Sequence, residues 1–430
     1  MFIGPFRRLD VILFASALVT GLVAVVLLKA PLYRDPHALG GHVVALFVPY
    51  VLAVAFATTM VWLGRLDRRH AVASFVLFIL VMLPCGDLFF KPIVHFEGDD
   101  SYRYSLYAHN MLRKGTLWGS DGLIPDSRYT GRRYLIDQPG YRYYLALAIA
   151  VLGGEHRGMQ IVNLGVSLTA VLTLLLSLQP SLDPWRLKLL ALFLFGAAPY
   201  AAKNVMYGYS EWLAVALVMV WAALFARRRD FTALVVLAFV PFIRQNLLPA
   251  SLLLAGVTVA FARRWWWLGP YAVVLAMPLL HNLYYAGEWR FLVANTGALF
   301  QPSGNAWTDV MTVLRTAASR LPHYAGYEPN QKRATLAIAL FFAPLGTALV
   351  VAGLLTAAAT KWSRALMVAL VLLTVAPTLV LGGGSFPRFE FVNLSLILVA
   401  FAAVTGRAHE SASGLTALPR FGRQPQEPEP

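Results

Sequence analysis

A single cysteine, Cys85, rules out an intramolecular disulfide. It lies inside an apolar run, so it reads as a small buried hydrophobe, and cysteine usage says nothing about redox compartment. Charge is scarce too. Only 13% of the residues are Asp, Glu, Lys or Arg, about half the share of an ordinary soluble domain. No Walker or GxGxxG phosphate loop is present, no Ser-His-Asp or Cys-His nucleophile set is supported, and no internal repeat is evident. These absences set aside soluble nucleotide enzymes and covalent hydrolases of the familiar kinds.

What the chain has in abundance is apolar surface. Its 430 residues are 58% hydrophobic, with a mean hydropathy of +0.63. Apolar runs long enough to cross a bilayer recur along most of the length, and the chain is expected to be an all-α polytopic membrane protein. About twelve spans are predicted. The first nine are Val11–Leu28, His42–Gly64, Ala71–Phe90, Gly158–Leu178, Leu187–Ala202, Tyr209–Ala226, Phe231–Ile243, Leu247–Ala262 and Trp265–Tyr285. Ala334–Ala359, Ala365–Leu381 and Phe389–Thr405 complete the set. The first follows Arg7-Arg8 but lacks a small-x-small cleavage site, so it reads as a retained span. Phe231–Ile243 and Leu247–Ala262 are too short to cross the ~30 Å core untilted. They predict a broken hairpin around Arg244-Gln245-Asn246.

The net charge of +15 sits in short clusters between apolar runs, a pattern of topology signals and headgroup contacts that argues against nucleic acid. Arg7-Arg8, Arg65/Arg68/Arg69, Arg186/Lys188, Arg227-Arg228-Arg229, Arg263-Arg264 and Lys361/Arg364 fall on one side when spans are counted alternately. The positive-inside rule makes that side cytoplasmic. Both termini are then inside, two long segments (Lys91–Arg157 and Gly287–Arg333) lie outside, and residues 408–430 form a disordered tail after a membrane domain of residues 1–407.

The first outer segment has internal order. Asp99-Asp100-Ser101 opens a run that ends at Arg113-Lys114-Gly115, with acids first, bases last and glycine beyond. Tyr104, Tyr107, Ala108 and Met111 share one face, predicting an interfacial helix. A second helix is predicted from Pro139 to Val151, with Tyr141, Tyr143 and Tyr144 at the interface. Trp265-Trp266-Trp267 reads as an aromatic belt.

Carboxylates at a membrane edge are costly, which makes Asp99 and Asp100 the first functional candidates. One can act as a general base toward an acceptor hydroxyl while its neighbour orients substrate. The same residues also suit plain helix capping. Arg103 is spaced to pair with either. Lys203, Arg244, His281, Asn282 and Arg388 lie at outer span ends and suit a lipid phosphate, with interfacial anchoring as the plain alternative for each. Glu211 and Asp137 are candidates to orient the acceptor or to balance an arginine. His95, Glu97, Asp99, Asp100 and His109 are close in sequence but match no tight ligand spacing; no cofactor is called, and a divalent metal stays open as a minor alternative.

Together Gly98–Gly115, Asp137–Gly154, Pro241–Pro249, His281–Phe291 and Ser385–Phe391 resemble the GT-C superfamily of integral-membrane glycosyltransferases. Relatives include aminoarabinose transferases, protein O-mannosyltransferases and arabinofuranosyltransferases, in which an acidic pair opens the first large outer loop. Here that pair maps onto Asp99 and Asp100. The chain departs in carrying two extra spans before the acidic loop and in lacking a large soluble C-terminal domain. The resemblance implies a polyprenyl-phosphate-linked sugar donor, inversion at the anomeric carbon, and a glycan, lipid or protein acceptor on the outer face of a bacterial inner membrane. A lipid-linked-sugar transporter or flippase, and a polymerase or ligase using lipid diphosphate, are the alternatives.

Overall fold

A computed structural model describes residues 7–34, 47–85, 100–114, 139–153, 156–206, 208–286, 289, 307–308, 311–312, 315, 365–374 and 386–414. These residues are helical with short connections, and no strand occurs among them. In chain order the helices are α1 (Arg8–Arg34), α2 (Val48–Trp62), α3 (Arg68–Met82), α4 (Asp100–Lys114), α5 (Pro139–Leu152), α6 (His156–Leu178) and α7 (Pro184–Met206). There follow α8 (Glu211–Ala226), α9 (Asp230–Ile243), α10 (Leu248–Ala262), α11 (Leu268–Leu275), α12 (Met277–Ala286), α13 (Ala365–Thr374) and α14 (Phe386–Gly414).

Six helical stretches among the described residues are long and apolar enough to cross a membrane, and four shorter apolar helices accompany them. That marks the chain as a membrane protein. The stretch Ala334–Ala359 lies outside the described residues, as do residues 415–430. Two sequence expectations need correcting. The run Trp265–Tyr285 is not one span: a 3₁₀ turn at Trp265–Trp267 precedes α11, and the helix breaks again between Leu275 and Met277. Pro278 has no N–H to donate and crowds the preceding turn, so the break falls where proline begins a new helix. The last helix continues to Gly414, into the stretch expected to be tail.

Helix α8 is the centre of the bundle and packs against α6, α9 and α14. It is apolar all round, as an enclosed helix must be. Ala214, Ala216, Ala222 and Ala223 are buried along it and let neighbouring backbones approach closely. Position in the bundle sorts the other spans. Of the apolar window in α14, 89% is buried, against 17% for α1. The first helix lies on the rim and the last is enclosed.

The expected broken hairpin is present. Helix α9 ends at Ile243, Arg244 is extended at φ −139° and ψ 94°, and a 3₁₀ turn over Gln245–Leu247 leads into α10. Both helices expected in the first long segment also form. Helix α4 covers Asp100–Lys114 and buries Tyr104 and Ala108, with Tyr107 and Met111 partly covered, so the predicted stripe faces protein.

Side-chain contacts fix which helix ends lie together. Arg65 pairs with Asp10, and His70 lies 3.4 Å from the same carboxylate. Trp62 packs on Trp185 at 6.1 Å, and Lys188 lies over Trp62. Gly406 abuts Ser181, and Arg407 binds Asp230 and the Phe225 carbonyl. The described arginine-rich turns therefore gather at one end of the bundle. Aspartates start two helices there: Asp67 accepts from the Arg69 and His70 amides, and Asp183 from those of Trp185 and Arg186.

Candidate functional site

The opposite end is built around the start of α5, whose consecutive residues reach five different helices. Trp212 on α8 donates its indole N–H toward the Tyr141 hydroxyl at 3.5 Å. Arg142 lies under α4, its guanidinium carbon 5.3 Å from the Tyr104 ring centroid and 4.9 Å from that of Tyr107. The Tyr143 hydroxyl meets His281 Nδ1 on α12 at 3.0 Å, and its ring stacks on Phe242 of α9. Tyr144 donates to the Asn163 carbonyl oxygen on α6.

Close approach makes this hub possible. A Cβ on Gly140 would lie 2.5 Å from the Phe242 ring and 2.8 Å from its carbonyl oxygen, so only glycine lets α5 lie so near α9. A second glycine shapes the neighbouring turn. Gly208, at φ +67°, reverses the chain after α7 and sets Ser210 and Glu211 at the start of α8.

Tyr141 and Arg142 are both buried, at 0% and 4% exposure. Sequence reasoning assigned Tyr141 to the membrane interface and passed over Arg142 altogether. The signal was available: an arginine among three tyrosines just inside a proline-started helix is a costly placement in a membrane-edge segment. Burial pushes the Tyr141 phenol well above its usual range and outweighs the bond from Trp212, so it stays neutral.

Glu211 and Arg244 meet here in a buried ion pair, Oε1 to Nη1 at 3.0 Å. The sequence placed Arg244 on a lipid phosphate and left Glu211 between acceptor and counter-ion. The geometry brings the two together, and the extended backbone at Arg244 is what points the guanidinium back toward α8. Lys203 lies over the Tyr200 ring at 5.6 Å, and Phe391 of α14 packs against the same ring at 5.5 Å. Arg388 falls one helical turn before Phe391, which puts its backbone beside this end of α7. His281 and Asn282 are both buried.

Several candidates fall elsewhere. Asp99, Asp137, His95 and Glu97 lie outside the described residues. Asp100 and Arg103 occupy the first turn of α4 and Arg388 the first turn of α14, with their side chains outside what is described. His109 is on α4 beside Arg113; partial burial and that neighbouring charge lower its pKa, so it is neutral near pH 7. No group of three or more His, Cys, Asp or Glu side chains that could hold a metal ion occurs among the described residues.

Two features widen what this end can do. Gln160 donates to the Met206 carbonyl at 3.0 Å and Asn204 to that of Tyr200 at 2.9 Å, while the amide oxygens of both are buried without a partner among the described residues. They can accept from a hydroxyl. Nearby, an apolar furrow of about 470 Å³ runs between α3, α6 and α8, lined by residues such as Phe75, Ile161, Gly165, Thr169, Leu213 and Val220. It runs from Ile161 and Leu213, the sequence neighbours of Gln160 and Trp212, along the two helices to Thr173 and Val220.

What these elements define is an α-helical membrane protein with a buried aromatic and cationic cluster at the end opposite its arginine-rich turns. No protein-family model matches the chain, and neither a curated protein nor a solved structure matches it.

Proposed function

We propose that the protein is a glycosyltransferase of GT-C type that takes a sugar from a polyprenyl-phosphate donor and passes it to an acceptor hydroxyl with inversion. The observation that carries this reading is the gathering of Arg142, Arg244, Lys203, His281 and Asn282 at one end of the bundle, roofed by a helix whose first residue is Asp100. By the positive-inside rule the arginine-rich end faces the cytoplasm, and the cluster faces the outside of a bacterial inner membrane.

The chemistry asks little beyond these groups. A phosphate leaving group has a second pKa of about 6 and departs without a general acid. The acceptor hydroxyl needs a base, the role assigned to Asp99 or Asp100. Cations around the phosphate offset charge growing there in the transition state. The furrow between α3, α6 and α8 suits one hydrocarbon chain of the donor, with its head at the cluster. In this scheme Glu211 holds Arg244 in place, which leaves the acceptor to Asp137, Arg103 and the buried amides.

A panel of synthetic polyprenyl-phosphate hexoses and pentoses, offered to the purified protein in vesicles with cell-envelope extract as acceptor, tests the reading. Donor consumption with product formation is expected, and its loss in either Asp99→Asn or Asp100→Asn. Full activity in both variants would sink the assignment of the base. Translocation of the labelled lipid without any product would favour a carrier.

A further inference from the structure

We infer that the adjoining ends of α8 and α10 form a binding site for the phosphate headgroup of an anionic membrane lipid. Arg227-Arg228-Arg229 and Arg263-Arg264 are its cations, and Trp265 and Trp266 anchor it at the membrane surface.

Two ring contacts bring these turns together. Phe225, in the last turn of α8, packs edge-on against Phe261 in the last turn of α10, with centroids 5.5 Å apart. Phe231, at the start of α9, packs against Trp267 at 5.6 Å. The arginines that follow α8 therefore lie beside those that follow α10, and all of them are exposed. Like charges crowded on neighbouring turns repel one another, and a bound anion relieves that repulsion.

Nothing described on the protein offsets this charge. Asp230 is the carboxylate next in sequence, and Arg407 takes both of its oxygens. Among the described residues Arg227, Arg229, Arg263 and Arg264 form no ion pair. The other described turns at this end differ. Arg65 is bound to Asp10, Lys188 lies over the Trp62 ring, and Asp67 and Asp183 stand among the bases of those turns. Uncompensated positive charge is thus concentrated where α8 and α10 end.

The backbone supplies an independent support. Arg228 and Arg263 are the two non-glycine residues at positive φ among the described residues, at 59° and 54°. Each closes its helix: the Arg228 amide donates to the Phe225 carbonyl at 3.0 Å, and the Arg263 amide to that of Ala260 at 3.3 Å. Glycine is the ordinary occupant of this closing position, because a Cβ crowds the left-handed backbone. Arginine there keeps a cation at a cost in strain. Marking topology or complementing the helix dipole would be met by Arg227, Arg229 and Arg264, which are at negative φ. The occupant is lipid because of the tryptophans. Trp265 and Trp266, directly after these cations, are 60% and 68% exposed, and Arg264 lies 5.1 Å from the Trp267 ring. Exposed indoles beside arginines at the end of an apolar helix belong at headgroup level, where guanidinium forks meet lipid phosphate.

Brominated lipids quench tryptophan on contact and so report which lipid sits beside Trp265 and Trp266. The full chain in phosphatidylcholine vesicles receives brominated phosphatidylglycerol or brominated phosphatidylcholine at equal mole fraction. The same measurement on Trp265→Phe/Trp266→Phe is subtracted, for wild type and for every variant. Stronger quenching by the anionic lipid is expected, with the preference falling about fivefold for each arginine removed in Arg227→Gln and Arg263→Gly. Because Arg263→Gly also relieves the left-handed backbone, its thermal midpoint in phosphatidylcholine should hold or rise while the preference falls. A merely structural arginine would leave the preference unchanged. Arg68→Gln/Arg186→Gln removes charge from the other turns of the same end and should leave the preference intact. Equal quenching by the two lipids in wild type overturns the inference, as does an unmoved preference in both Arg227→Gln and Arg263→Gly. An equal loss in Arg68→Gln/Arg186→Gln overturns it too, showing diffuse attraction to the whole basic end. Inorganic phosphate that abolishes the preference, where sulfate at matched ionic strength does not, would assign the site to a soluble anion instead. No sugar donor is used, so these outcomes are separate from failure of the transferase reading.

Discussion

Among the described residues, each end of the bundle has an arginine–carboxylate pair with both partners buried, and the surroundings of the two pairs differ. At the arginine-rich end, Arg407 of α14 takes both oxygens of Asp230, donates to the Phe225 carbonyl, and lies 4.3 Å from the Phe225 ring centroid and 5.4 Å from that of Phe261. Protein encloses that guanidinium on every side that contacts reveal. At the other end, Arg244 offers one nitrogen to Glu211 from an extended break in the hairpin, amid tyrosines, a histidine and buried amides. The first pair ties α14 to α8, α9 and α10. The second holds a cation in a fixed place near a polar cluster. The same two residue types thus serve as a fastening at one end and, in the function proposed above, as site architecture at the other.

Breaking each pair tests that contrast most strongly. Removing one partner of a buried pair leaves an uncompensated charge and costs about 3–5 kcal/mol. Asp230→Asn and Glu211→Gln should both lower the thermal midpoint in detergent substantially. The double variant Asp230→Leu/Arg407→Met should recover most of the loss, since well-packed apolar replacements of buried pairs are often neutral. It should also keep transfer activity per folded molecule. Glu211→Leu/Arg244→Met should recover stability yet stay inactive. Recovery of activity there would erase the distinction between the ends.

Packing offers a smaller break. Gly140→Ala drives a methyl group into Phe242 and its carbonyl, and overpacking of this kind costs about 1–3 kcal/mol. Because α5 carries Tyr141 through Tyr144, the shift should reduce transfer more than it reduces the thermal midpoint. Gly153→Ala at the other end of the same helix meets nothing within 4 Å, and its strain is confined to a turn at φ +80°. It should lower stability slightly and leave transfer intact.

The smallest effect expected is at the Asp67 cap of α3. Partial burial raises this carboxyl's pKa, but bonds from the His70 amide, the His70 ring and the Arg69 amide outweigh it and lower the pKa overall. A carboxyl lowered on folding stabilises the protein above its unfolded pKa of about 3.9 and loses that contribution as pH falls through the folded value. Asp67→Ala should cost about 0.5–1 kcal/mol near neutral pH, toward the low side because the side chain is 55% exposed. The difference from wild type should vanish in unfolding curves taken well below pH 3.9.

Much of the fold was legible in the chain. Apolar runs located the described spans to within a few residues, because a bilayer demands an apolar stretch of fixed length. Arginine clusters between runs anticipated which turns share an end, and the contacts of Arg65 with Asp10, Trp62 with Trp185 and Arg407 with Asp230 bear that out for the described loops. The stripe of Tyr104, Ala108 and Met111 anticipated the buried face of α4. The break at Pro278 was missed because hydropathy does not register one absent N–H in a continuous apolar run. Arg142 was missed for a related reason. Its neighbours looked interfacial in one dimension, and only the packing of α4 across α5 reveals that the residue is enclosed.

By itself the amino-acid order determined that this is a helical membrane protein, roughly where its helices lie, and which carboxylates and cations stand at their ends. Those follow from local rules: hydrocarbon thickness, helical period and the cost of charge in an apolar medium. Which charges meet was decided only in three dimensions. Glu211 finds Arg244 and Asp230 finds Arg407 across 33 and 177 positions of chain. In the low-dielectric interior a charge must find a partner that helix packing brings near, and linear spacing does not record that packing.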